Sequence, residues 1–93
     1  MCVLIIGGHD CMTGQYKQIC KKYKCDSKIY THMPTDMKRK FGSPDLVVLF
    51  TGTVSHKLVR CVVDEAKKKN ASLIRSHSSS GRALQTILEQ FQK

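Results

Sequence analysis

Two sets of residues in this chain have the types and spacing to act on a small anionic molecule. The first is Ser78-Ser79-Ser80-Gly81, set between Arg75-Ser76-His77 and Arg82. Serines that open a helix bring hydroxyls beside backbone N–H groups carrying roughly half a positive charge. A guanidinium on either side can pair with phosphate or carboxylate oxygens. Arg75, His77, Ser78, Ser79, Ser80, Gly81 and Arg82 are therefore the predicted anion contacts. The second set is the histidines. His9, His32, His56 and His77 fall in short polar segments that begin at His9, Thr31, Thr51 and Arg75. Of the residues there, His9, Ser55 and His56 are the candidates for orienting the rest of a ligand.

Cysteine chemistry is the competing reading. Cys11 follows an apolar run and stands near a helix N-terminus, where a thiolate is stabilised. With His9 or His56 as base it would act as a nucleophile or a phosphoryl acceptor. A phosphatase-type loop needs an arginine six residues further on, and Lys17 stands there. Zinc sites take three or four nitrogen or sulfur ligands. Each histidine here comes from a different segment, without short pair spacing, so no metal is expected. Gly7-Gly8-His9-Asp10-Cys11-Met12-Thr13-Gly14 lacks the G-x-G-x-x-G fingerprint, and the G-x-x-x-x-G-K-[ST] loop is absent. No cofactor follows from these residues.

The elements that must position these segments alternate strand and helix. Residues 2–6 are a wholly apolar run stopped by Gly7-Gly8, the pattern of a strand buried on both faces. Tyr16, Ile19, Cys20 and Tyr23 mark one stripe of a first helix over 12–24. A more polar strand over 27–32 follows, at a sheet edge. Pro34-Thr35-Asp36 then opens a short second helix carrying Met37 and Phe41 and closed by Gly42. Residues 45–51 hold Leu46-Val47-Val48-Leu49-Phe50, the strongest strand signal in the chain. Ser55 is the predicted cap of a third helix burying Leu58, Val59, Val62, Val63 and Ala66. Lys67-Lys68-Lys69-Asn70 ends it, a fourth strand covers 71–76, and a fourth helix buries Ala83, Leu84, Ile87, Leu88 and Phe91.

That alternation predicts an α/β fold: a small three-layer, doubly wound, four-stranded parallel sheet of order 2-1-3-4, Rossmann-like or flavodoxin-like. The first and fourth helices would cover one face, the second and third the other. All four histidine-bearing segments then fall beyond the carboxyl ends of the strands, where such sheets bind ligands.

Composition bounds the rest. The 93 residues are 41 % hydrophobic and 25 % charged, which suits one globular domain and leaves too little chain for two cores. No apolar run approaches the roughly 20 residues that span a bilayer. The opening Met-Cys-Val-Leu-Ile-Ile lacks the basic flank of a signal peptide. Five cysteines, an odd count without metal-type spacing, point to free thiols in a reducing cytoplasm. The formal charge of +9 is carried by lysine runs that close three predicted helices and complement their dipoles. Those runs would form a basic rim opposite the histidines, able to attract nucleic acid without reading sequence, since no tryptophan or interleaved aromatic platform accompanies them.

Leu4-Ile5-Ile6-Gly7-Gly8, Pro44-Asp45-Leu46-Val47-Val48, Thr51-Gly52-Thr53-Val54-Ser55-His56 and Arg75-Ser76-His77-Ser78-Ser79-Ser80 together resemble the bacterial domain of unknown function 2325 family. The resemblance covers nearly the whole chain. It implies a small cytoplasmic bacterial α/β protein and brings no established activity. Three readings thus stand side by side: a binding module for a phosphate-bearing or other anionic small ligand, a Cys11-dependent enzyme or phosphoryl carrier, and a nucleic-acid or partner binder acting through the basic rim. Two unpaired sheet edges, and more apolar helix surface than a narrow sheet can cover, predict a homodimer centred on the third or fourth helix.

Overall fold

A computed structural model of the chain describes residues 1–32, 39 and 41–92. Its elements are β1 (Cys2–Ile6), α1 (Thr13–Lys22), β2 (Asp26–Tyr30), β3 (Leu46–Phe50), α2 (His56–Lys68), β4 (Ser72–Ser76) and α3 (Gly81–Gln92). The four strands form one parallel sheet in the order β2-β1-β3-β4. This is the doubly wound arrangement that the strand–helix alternation predicts. The second predicted helix, over 34–42, lies largely outside the described residues; Phe41 at its end is buried on the α2 side.

Hydropathy explains which strands are central. All five residues of β3 and four of β1 are buried, because helices cover both faces of the sheet. One core joins Val3, Ile5, Leu46, Val48 and Phe50 to Tyr16, Ile19 and Cys20 of α1 and Leu84, Ile87 and Leu88 of α3. The other joins Leu4, Ile6, Val47 and Leu49 to Leu58, Val62 and Ala66 of α2. The strand period of two sorts neighbouring residues into opposite cores. The edge strands β2 and β4 are only half buried, as their mixed polarity requires.

Local chemistry sets the ends. Ser55 caps α2 by accepting the Leu58 N–H at 3.3 Å. Both α1 and α2 finish on a residue with positive φ, Lys24 at 58° and Asn70 at 57°. The chain then turns back, Cys25 N–H reaching Cys20 O at 2.8 Å and Ala71 N–H reaching Ala66 O at 2.9 Å. This closure satisfies the last helical carbonyls and feeds each helix straight into an edge strand. The first helix spans Thr13–Lys22 and not 12–24, because one turn of 3-10 helix over Asp10–Met12 precedes it and the turn through Lys24 closes it. The second strand stops at Tyr30, since Thr31 turns away to bond Asp10.

Candidate functional site at the carboxyl edge of the sheet

Parallel strands bring the segments after β1, β2, β3 and β4 to one edge. Side chains then stitch these segments together. Gly7 N–H donates to Tyr30 O at 2.9 Å, joining the ends of β1 and β2. Thr53 Oγ1 accepts from Gly8 N–H at 2.7 Å and donates to Phe50 O at 3.2 Å. Thr53 therefore closes the crevice between β1 and β3, the reversal point where doubly wound folds often take a nucleotide. The Gly8 N–H that would face a phosphate there is already bonded.

Tyr16 ties this loop to the serine segment. Its ring is fully buried and tilts against Phe50 with centroids 5.4 Å apart. Its hydroxyl donates to Ser79 O in a short hydrogen bond. Burial pushes the phenol above its ordinary range, while Ser79 and the His9 backbone pull it back down. Gly8 makes room for this arrangement: at φ +86° it occupies a region favouring glycine, and a Cβ would lie 2.6 Å from the Tyr16 oxygen. Gly52 does the same for His77, whose carbonyl oxygen would stand 2.6 Å from an added Cβ.

The serine segment is a helix start built from its own hydroxyls. Ser76 Oγ donates to Ser78 O at 2.9 Å, and Ser78 Oγ to Ser80 Oγ at 3.2 Å. Ser80 Oγ accepts the Ala83 N–H at 3.2 Å, capping α3. Among the described residues, the N–H groups of Gly81 and Arg82 have no hydrogen-bond acceptor, as befits the first turn of a helix. Ser78, Ser80 and Arg82, next to them in the chain, are exposed, whereas Gly81 itself is buried with Gln15 against it.

Arg75 sits differently from its predicted place. In β4, Leu73 packs with the α2-side core and Ile74 with the α1 and α3 side, so alternation puts Arg75 on the α2 side. The α3 start that the serines cap belongs to the opposite face. Ser55 and His56 open α2 and stand with Arg75. His56, with Lys57, Val59, Arg60, Cys61 and Asp64, lines a groove of about 490 Å³ along that helix. The predicted site residues thus divide between two sides of one edge: His9, Ser78, Ser79, Ser80, Gly81 and Arg82 on one, Ser55, His56 and Arg75 on the other, with His77 lying against Gly52 in the segment after β3.

A cluster that the sequence reading did not single out joins the first two loops. Asp10 accepts from Thr31 Oγ1 through a short bond and lies 3.3 Å from His32 Nε2. The Thr31 hydroxyl, and after it His32, hold the Asp10 carboxyl below its usual range. The pair is open to water. Cys11, beside it, is exposed and free, and no base is hydrogen-bonded to its thiol among the described residues. Cys20, by contrast, is buried and its thiol is pushed up to about 11, chiefly by burial and further by the neighbouring Cys25. Among the described residues, no group of three or more histidine, cysteine or acidic side chains is placed to hold a metal ion. Nor is any helix long and apolar enough to cross a membrane.

A family model described as an uncharacterized protein conserved in bacteria, DUF2325, matches residues 2–91. No curated protein and no solved structure matches the chain.

Proposed function

The chain belongs to the DUF2325 family, and from its own geometry we propose that it is a binding module for a phosphate-bearing or other anionic small ligand. The observation that carries this reading is the start of α3, where the Gly81 and Arg82 N–H groups have no acceptor among the described residues and exposed Ser78, Ser80 and Arg82 flank buried Gly81 in the chain. Such a start attracts anions through its donors and its dipole together. Tyr16 supports the loop from beneath, so the donors are held before the ligand arrives. His77 and His9 would meet the remainder of the molecule. The crevice closed by Thr53 argues against a pyrophosphate at the β1 loop.

The enzyme reading through Cys11 ranks second, because its thiol has no hydrogen-bonded base. The five free thiols suit a reducing bacterial cytoplasm. A homodimer is the assembly we expect. Thermal denaturation in rising inorganic phosphate, at constant ionic strength, tests the binding proposal. Ligand that binds only the native state raises Tm by mass action, and Arg82→Ala should abolish the rise. A flat Tm up to tens of millimolar phosphate, far above the concentrations where mass action should act, rejects the site. Turnover of a phosphate ester that is lost in Cys11→Ser would instead favour the enzyme.

A further inference from the structure

The α2 side of the molecule carries a second set of cations that the anion site does not use. Lys57 and Arg60 are exposed on α2 and line its groove with His56. Arg75 reaches the same side from β4, at one edge of the sheet. Lys28 reaches it from β2, at the other edge, since its register partner Leu4 belongs to the α2-side core. Three strand spacings separate those edges, roughly 14 Å, and α2, with its 13 residues about 20 Å long, packs on the same face beside β4. Among the described residues, Asp26 and Asp64 are the exposed acids on this side, while Glu65 is buried 3.8 Å from Lys68. None of Lys28, Lys57, Arg60 or Arg75 lies within ion-pair distance of a carboxylate among the described residues.

We propose that this side binds the phosphodiester backbone of nucleic acid without reading its sequence, with Lys57, Arg60 and Arg75 as the main contacts. Charge complementarity selects the partner. A protein partner would want a central apolar anchor, and a membrane surface would want apolar side chains to insert. The one exposed large hydrophobic residue among those described is Met1, which leads into β1. A phosphate chain needs only cations at intervals. The proposal moves the nucleic-acid contact away from the lysine-rich helix ends at the opposite edge of the sheet. There the carboxylates of Asp45 and Glu89 stand with the lysines.

Fluorescence anisotropy of a short labelled single strand, titrated with the protein, tests this directly. Three phosphate contacts predict a salt slope near −2, so affinity should fall roughly 20-fold between about 50 and 200 mM salt. Lys57→Glu, Arg60→Glu and Arg75→Glu combined should remove binding, with folding checked by circular dichroism. Lys17→Glu, Lys21→Glu and Lys22→Glu combined change the net charge equally but lie on α1, across the sheet. They should leave most of the affinity. Equal loss in both triple variants would show bulk charge alone and overturn the proposal. So would undetectable binding at the lower salt, or tighter binding to vesicles containing phosphatidylserine than to the strand. Should the first triple variant fail to fold, Arg60→Gln alone must still weaken binding more than Lys21→Gln.

Discussion

Tyr16 is the residue on which the two halves of the proposed anion site meet. Its ring fills the core under the loops, and its hydroxyl holds Ser79 from a position 63 residues away in the chain. Tyr16→Phe keeps the ring and deletes the bond, leaving the Ser79 carbonyl without its partner. The expected cost is about 1–2 kcal/mol in urea unfolding. The same variant should show a smaller phosphate-induced rise in Tm than the wild type, because the loop then orders only when the anion binds. An undiminished rise would mean that the serine segment needs no support from α1. The Asp10, Thr31 and His32 contacts lie on the other side of this loop. Being open to water, they add little to stability, and their interest is the polarity they lend to the β1 and β2 ends.

At the scale of elements, hydropathy decides nearly everything and side-chain hydrogen bonds decide the remainder. Val48 illustrates the first. It sits in the middle of β3 between β1 and β4, with no exposed surface. Val48→Asp should cost about 3–5 kcal/mol, since a buried carboxylate there finds no partner. Ile74→Asp, half buried on the edge strand beside it, should cost distinctly less. Urea midpoints that rank the two the other way would contradict the central placement of β3. The strands, their order and the Ser55 cap were legible because each depends on residues close in sequence or on an apolar period. The Tyr16–Ser79 and Thr53–Gly8 bonds were not, since they link positions 63 and 45 apart through hydroxyls that no local pattern marks. The face that Arg75 takes was not legible for a different reason. Its position after Ile74 fixes the face it points to, but only once the core on each side of the sheet is known.

At the scale of the whole molecule, the apolar stripes of the helices are already used. Leu58, Val62 and Ala66 of α2, and Leu84, Ile87 and Leu88 of α3, all pack on the sheet. A dimer centred on either helix therefore has only half-buried residues such as Val59, Val63 and Phe91 to work with. The sheet edges offer more. β2 carries exposed Asp26 and Lys28 along its edge, and β4 carries exposed Ser72 and Arg75 around half-buried Leu73 and Ile74, beside a row of free backbone groups. Pairing two β4 strands antiparallel about a two-fold axis would make one eight-stranded sheet. That axis stands perpendicular to the sheet, so both α2 sides would face the same way and the basic surface would double in length. The formal charge of +9 opposes this contact, and salt weakens the repulsion by shortening its range to about 8 Å at physiological strength. Self-association should therefore grow with salt while nucleic-acid binding falls. Sedimentation equilibrium at micromolar protein, across a salt series through about 150 mM, should show the dimer fraction rising. A monomer mass at every salt concentration would rule the dimer out and leave the basic surface to act as a single copy.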